Sequence, residues 1–305
     1  MHIGRFLTSY GPGISNEVAL MLCSAPLLRD VILNASFHPT FYETLAREER
    51  KATVHTLKIW NNEPLSSASS HHLVEALCSL PNLTNLMLRG VCDQEEFCSY
   101  MNEKASTLKV HTLVIRNNKP LSSASSHHLV EALCSLPNLT NLMLSGVCEE
   151  EIYSHLNEKA STLKVHTLQI VNYQPLSSAS SHHLVEALCS LPNLTNLILS
   201  GVCDKEEFYS HLNEKASTLK VRKLTLNALS ISSSNLAEAL CIMPNLTDLT
   251  LSSLNRKIYL TLKTKASSIQ GSFPQISKGN FMFNGMPQKD LQSFLQTLTD
   301  IDILR

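Results

Sequence analysis

Paired histidines are the most conspicuous candidates for chemistry in this chain, because imidazole is a common metal ligand and general base. Three adjacent pairs occupy one repeated position: His71 and His72, His127 and His128, and His182 and His183. Neighbouring residues on a helix point in different directions, and successive pairs are expected about 20 Å apart if helices pack about 10 Å from one another. Zinc needs its nitrogen ligands within about 2.1 Å of one centre. The spacing therefore predicts solvent-facing histidines and no metal site.

Eight of the nine cysteines also follow the repeat, and none has CxxC spacing. One series comprises Cys23, Cys78, Cys134, Cys189 and Cys241, and a second comprises Cys92, Cys148 and Cys203. A free cysteine behaves as a small hydrophobic residue, and a catalytic thiol with its own base would not be copied several times along a chain. Neither GxxxxGKS/T nor GxGxxG occurs. We therefore predict a non-enzymatic protein without a cofactor, with free thiols in a reducing, cytoplasmic compartment.

Charge and hydropathy narrow the class of partner. Lys plus Arg number 25 and Asp plus Glu number 26, for a formal net charge of -1. Such a balance provides no broad attraction to phosphate backbones or anionic lipid, so nucleic acid is an unlikely partner. No apolar run approaches the roughly 18 residues of a spanning helix, and the N-terminus lacks the pattern of a secretory signal. Membrane association is not expected.

Internal repetition dominates the sequence. Residues 54–109, 110–164 and 165–220 are near-copies, and PLSSASSHHLVEALCSLPNLTNL stands unchanged in all three. Weaker copies occupy 1–53 and 221–270, so we assign a repeat array to 1–270. Residues 271–305 break the pattern and are predicted to form a C-terminal capping repeat, with a last helix from Pro287. The first repeat has no visible polar cap, which predicts further sequence ahead of Met1.

Each long unit divides into two halves that open alike. VHTLKIWNN places Val54, Leu57 and Ile59 before Asn62, and LTNLMLRGV follows the same spacing. This is the leucine-rich-repeat signature, LxxLxLxxN. Period-two apolar residues predict a short strand, whereas Leu73, Ala76, Leu77 and Leu80 predict a helix with one buried stripe, capped by Ser69 or Ser70 and ended by Pro81. We predict an α/β solenoid, a horseshoe of ten to eleven repeats with a parallel concave sheet and convex helices.

The helix of the first half-unit is identical in the three near-copies, whereas the strand positions expected on the concave side are not. Since solenoids bind ligands on the concave surface, we predict that these positions form the ligand site. They are Lys58, Trp60, Met87, Arg89, Val114, Arg116, Met143, Gln169, Val171, Tyr173 and Ile198. Trp60, Arg89 and Arg116 are the expected anchors, because Trp and Arg are enriched in binding hot spots. The alternative is that exposed strand positions drift freely after a recent duplication, although the serines of SSASS, taken as exposed, do not drift.

The alternating halves, with LxxLxLxxN followed by LVEALCSLPNL, resemble ribonuclease-inhibitor-type leucine-rich repeats. The sequence pattern HHLVEALCSLPNLTNLxL, with NEKASTL between copies, is most similar to the C-terminal repeats of invertebrate NOD-like receptors. That resemblance implies a protein-interaction or ligand-sensing domain in an intracellular innate-immune receptor, in which the repeats restrain an ATP-binding NACHT module of the same longer chain. A free-standing adaptor or inhibitor that binds a protein in its concave face is the alternative. A GTPase activator is the least favoured interpretation, because it would need a specific catalytic arginine. Arg89 and Arg116 instead lie among positions that vary between the repeats.

Overall fold

The computed structural model describes residues 4–6, 15–25, 28–33, 39–47, 53–61, 65–117, 119–147, 150–202, 206–227, 234–251 and 278–281. These residues belong to two compact units, Met1–Val165 and His166–Arg305. Of the predicted cap at 271–305, only Lys278–Phe281 lies within the described residues, where it forms a strand. The helix predicted from Pro287 lies outside them.

In the first unit, strands and helices alternate strictly. The elements are β1 (Gly4–Phe6), α1 (Ser15–Ser24), β2 (Asp30–Leu33), α2 (Pro39–Arg47), β3 (Thr56–Trp60), α3 (Ser67–Ser79), β4 (Asn85–Arg89), α4 (Glu95–Lys104), β5 (Thr112–Arg116), α5 (Ser123–Ser135), β6 (Asn141–Ser145) and α6 (Glu150–Lys159). Strands β1 to β6 form a parallel sheet in chain order. Consecutive helices pack against one another beside the sheet.

The second unit has the same alternation. Its elements are β7 (Thr167–Val171), α7 (Ser178–Ser190), β8 (Asn196–Ser200), α8 (Glu206–Lys215), β9 (Lys223–Asn227), α9 (Ser234–Ile242), β10 (Asp248–Leu251) and β11 (Lys278–Phe281). Strands β7 to β11 are parallel and follow chain order. The described residues thus contain eleven parallel strands, which agrees with the predicted leucine-rich-repeat solenoid.

Burial follows the two periods read from the sequence. Leu57 and Ile59 of β3 face the core at 2% and 0% exposure, while Thr56, Lys58 and Trp60 are half-buried. The predicted helix stripe is likewise buried; its members are Leu73, Ala76, Leu77 and Leu80. Phe97, Met101, Ala105 and Leu108 form the buried stripe of the next half-unit. Because each strand and helix buries only one side, adjacent repeats must stack to complete the core.

The serine-rich segment caps the long helices, but not through the residues that the sequence suggested. Ser66 is the N-cap of α3, and its Oγ accepts a hydrogen bond from the Ser69 backbone N–H at 3.1 Å. Ser69 and Ser70, the predicted caps, lie inside the first turn and are 3% and 0% exposed. The Ser69 Oγ lies 2.9 Å from the Ser66 Oγ. Buried serines are constrained by packing, so the constancy of these two residues has a structural cause.

Removal of one cap should weaken the fold measurably. We expect Ser122→Ala to lower the free energy of unfolding by about 1 kcal/mol, because the Ser122 Oγ accepts the Ser125 N–H at 3.1 Å at the start of α5. Urea unfolding followed by circular dichroism measures the change. Ser123→Ala, at an exposed position one residue later, is the matched control and should change stability by less than about 0.5 kcal/mol. Equal losses in the two variants would contradict the capping role.

Candidate binding surface

The predicted ligand residues of the first unit all lie on the outward side of four neighbouring strands. Strand register places Trp60, Arg89, Arg116 and Ser145 in one row across β3, β4, β5 and β6. A second row contains Lys58, Met87, Val114 and Met143, and a third contains Thr56, Asn85, Thr112 and Asn141. We call these twelve outward positions the β3–β6 face. Adjacent strands lie about 4.8 Å apart, so the face is about 15 Å wide.

The anchors predicted from sequence differ in what they offer to a ligand. Arg89 and Arg116 are exposed, whereas Trp60 is half-buried. The Trp60 indole Nε1 is buried and has no hydrogen-bond partner among the described residues, so Trp60 offers ring surface rather than its N–H group. Arg116 Nη2 lies 3.9 Å from Met143 Sδ on β6. Ser145, the fourth position of the row, is only 1% exposed, so the exposed part of that row ends at Arg116.

The charge on the β3–β6 face has one sign. Lys58, Arg89 and Arg116 are its charged residues, and none of them forms a salt bridge with another described residue. Glu63 lies outside the described residues. Asp93 in the turn after β4 has its pKa raised by burial, an effect opposed by the positive charge of Lys119. The face is therefore cationic among the residues that the structure describes.

In the second unit the predicted residues share a surface of different character. Gln169, Val171 and Ile198 are half-buried outward residues of β7 and β8, and Tyr173, just after β7, is 74% exposed. The charged outward residues of β9 and β10, Lys223 and Asp248, pair with each other at 3.5 Å. We call the outward positions of these strands the β7–β10 face. It is neutral, in contrast to the β3–β6 face.

Backbone hydrogen bonds join the strand ends one residue before the predicted asparagine position. Asn61, Asn117 and Asn172 donate their backbone N–H to Arg89 O, Ser145 O and Ser200 O at 2.8, 2.9 and 2.8 Å. Asn61 and Asn117 are 1% and 3% exposed, while Asn62 lies outside the described residues. Tyr173 stands at the predicted position in the third long unit.

The histidine pairs lie on the helix side and are less isolated than the sequence suggested. The His71 ring contacts Tyr100 of the next helix, with centroids 4.8 Å apart. His127 and His182 make the same contact with His155 and His211 at 5.1 and 5.2 Å. These cross-helix partners were missed because they lie half a unit away in sequence. No group of three or more His, Cys, Asp or Glu residues in the described part of the chain could hold a metal ion.

The cysteines occupy structural positions. Cys78, Cys134 and Cys189 are partly buried, with Sγ 3.9 Å from the backbone oxygens of Lys104, Lys159 and Lys215. Burial raises the pKa of each of these three thiols, which disfavours the thiolate that nucleophilic chemistry requires. Cys92 is fully buried beside Cys98; the hydrogen bond with Cys98 and burial both raise the pKa of Cys92. Cys148 and Cys203 lie outside the described residues.

Comparison with solved structures supports the fold. The chain is similar to the TLR13 chain of a crystal structure of the TLR13–ssRNA13 complex, with a TM-score of 0.52 and 18% identity over 91% of this chain. It spans 39% of the length of that chain. A crystal structure of the Rad7 and Elc1 complex in yeast contains another similar chain, with a TM-score of 0.51 and 15% identity over 94% of this chain and 81% of that one.

These similarities concern architecture. Both neighbours are leucine-rich-repeat proteins, and at such low identity the likeness shows the fold alone. The sequence matches no protein-family model and no curated protein. None of the described helices combines the length and apolar character needed to cross a membrane. The chain thus has the leucine-rich-repeat fold, and its outward strand residues form the candidate binding surface.

Proposed function

We propose that this chain is a non-catalytic leucine-rich-repeat module that binds another protein through the outward side of its strands. The supporting observation is a contrast between two exposed surfaces of near-identical units. On the helix side, His71 and Glu75 have side chains 40% and 43% exposed, yet both are unchanged in all three long units. On the strand side, the slot of Trp60 holds Arg116 and Val171 in the other two units.

Packing explains why Ser69 and Ser70 are unchanged in the three units, so these serines are no evidence for a binding role. Free drift after duplication would alter exposed residues on both sides of the repeat. In the first half-unit, however, helices α3, α5 and α7 are identical while the outward positions of β3, β5 and β7 differ. The side chains that vary include tryptophan, arginine and methionine, all enriched at protein interfaces. The surface contains no pairing of nucleophile and base that would support catalysis. A binding role accounts for these observations with no further assumption.

A more specific form of this proposal is the sensor region of an intracellular NOD-like receptor. Support comes from the sequence of the repeats, HHLVEALCSLPNLTNLxL and NEKASTL, which resembles that of NOD-like receptors. Under this proposal the module functions in the cytoplasm, beside a NACHT-type nucleotide-binding module in the same longer chain. An in-frame GxxxxGKS or GxxxxGKT segment upstream in the complete transcript would support it. A stop codon directly ahead of Met1 in every transcript would favour the free-standing adaptor or inhibitor instead.

The binding proposal is tested by site-specific photo-crosslinking. A photoreactive phenylalanine is placed at Val114 on the β3–β6 face and, as a matched control, at exposed Glu103 on α4. We expect a specific protein adduct from position 114 and none from position 103. The captured protein, once purified, should then bind the Trp60→Ala, Arg116→Ser double variant at least about tenfold more weakly than wild type. Adducts from position 103 alone, or unchanged affinity of the double variant, would exclude this surface.

A further inference from the structure

We propose that the β3–β6 face binds an acidic protein segment that also carries apolar side chains. This inference rests on the proposed binding function and specifies the chemistry of the partner. The β3–β6 face combines three cationic residues, Lys58, Arg89 and Arg116, with a row of apolar residues. No acidic side chain occupies any of its twelve outward positions.

Unpaired charge is the first argument for an acidic partner. Arg89 and Arg116 lie in register on adjacent parallel strands, with backbones about 4.8 Å apart. Like charges at this separation repel each other, and no described carboxylate pairs with either guanidinium. Elsewhere in the first unit a half-buried cation does find a partner: Lys159 Nζ lies 2.8 Å from Glu131 Oε1. Carboxylates from outside would relieve the repulsion, and arginine binds carboxylates through two parallel hydrogen bonds.

The apolar row supplies the second argument. Met87, Val114 and Met143 lie side by side next to the arginines and are all half-buried. Methionine adapts to partners of varied shape and recurs at binding surfaces. In an extended segment, successive side chains point to opposite sides and those on one side recur about every 6.7 Å, so an acidic residue and an apolar residue two positions apart could contact the two adjacent rows. Trp60, whose ring is half-exposed, borders both rows.

A nucleic acid fits this face less well. Binding to a phosphate backbone requires many cations along a path, whereas here there are only three, Arg89 and Arg116 in one row and Lys58 at the end of the row of Met87, Val114 and Met143. The chain as a whole has a net charge of -1, which gives no long-range attraction for a polyanion. Trp60 is the only tryptophan of the chain, and the β3–β6 face contains no second aromatic residue on which successive bases could stack. A short acidic segment with apolar residues matches both rows.

The only tryptophan also provides a direct readout. Titration of the intact chain is followed by Trp60 fluorescence and by its protection from acrylamide quenching. The probes are a twelve-residue peptide that repeats Glu-Glu-Leu-Leu, the same peptide with Lys in place of Glu, one with Ser in place of Leu, and a twelve-nucleotide oligouridylate. We expect the Glu-Leu peptide to bind at least about tenfold more tightly than each of the other three probes. Its affinity should fall as salt is raised, since exposed charge pairs are screened.

Matched variants locate the binding. Arg89→Ser introduces the residue that the chain itself has at the equivalent positions 145 and 200, and it is combined with Arg116→Ser to remove both guanidinium groups. This double variant should lose at least about tenfold in affinity for the Glu-Leu peptide. Lys104→Ser with Lys109→Ser removes the same charge from exposed positions off the face and should change affinity by less than about twofold.

The outcomes separate this inference from the binding proposal. Equal binding of the Lys-Leu peptide, preference for oligouridylate, or no Glu-Leu binding at millimolar concentration would each overturn the acidic-segment inference. A protein adduct from position 114 would still support a binding role in any of these cases. Loss of that adduct, together with peptide binding unaffected by Arg89→Ser and Arg116→Ser, would overturn both.

Discussion

Replacement of Gly90 by alanine is expected to lower the free energy of unfolding by about 3 kcal/mol or more. Gly90 has a φ of 65°, in the left-handed region that costs an L-residue about 1–2 kcal/mol. A Cβ atom at this position would also collide with the backbone oxygen of Asn61. That oxygen belongs to the backbone of the preceding repeat, so it cannot rotate away as a side chain can. Chemical unfolding followed by circular dichroism measures the loss.

Two further variants divide this effect into its causes. Gly201→Ala should show a similar loss, because Gly201 has a φ of 66° and the same close approach, to Asn172 O. Gly90→Asn tolerates a positive φ better than alanine but keeps the Cβ atom, so it should remain clearly destabilised. Near-wild-type stability of Gly90→Asn would mean that the backbone angle alone, and not the contact with Asn61, requires glycine.

Truncation of Phe97 in the core should have an effect of comparable size. Phe97 is fully buried at 0% exposure in α4. Phe97→Ala should lower the free energy of unfolding by about 3–5 kcal/mol, because the removed ring leaves a cavity that adjacent repeats cannot close completely. The same unfolding measurement tests it.

The chain itself offers the matched control for Phe97. The second long unit has Ile152 at the equivalent position, also 0% exposed. Phe97→Ile keeps most of the apolar volume and should cost less than about 1.5 kcal/mol. If alanine and isoleucine reduced stability equally, packing volume would not be what the α4 position requires.

The β3–β6 face of the first unit and the β7–β10 face of the second unit differ in charge. In the first unit, outward residues present unpaired cations beside methionine and valine. In the second, Lys223 and Asp248 neutralise each other and the remaining outward positions of β7 and β8 are uncharged. The predicted ligand residues of the first unit therefore include three cations, whereas those of the second unit are uncharged. The affinity of a partner that binds through charge should be lowered more by substitutions in the first unit than by substitutions in the second.

The sequence by itself determined the repeat, the alternation of strand and helix, and the residues that face the core. Leu57 and Ile59, and the stripe of Leu73, Ala76 and Leu77, are buried as the periods of two and 3.6 predict. The reason is that these periods are local properties of strand and helix geometry. The likeness among the three long units added the outward positions, since each strand could be aligned with its copies without any structure.

Only the tertiary structure decided which exposed-looking polar residues are in fact buried, and which distant residues meet. Ser69 and Ser70 are buried because the N-cap of α3 is Ser66, three to four residues before the predicted cap. A run of serines does not by itself indicate which serine caps the helix. The His127–His155 contact and the approach of Gly90 to Asn61 join residues about half a unit apart. The pairing state of Arg89 and Arg116 likewise depended on strand register. Contacts between repeats arise from stacking, and stacking leaves no periodic signal in the sequence beyond the repeat itself.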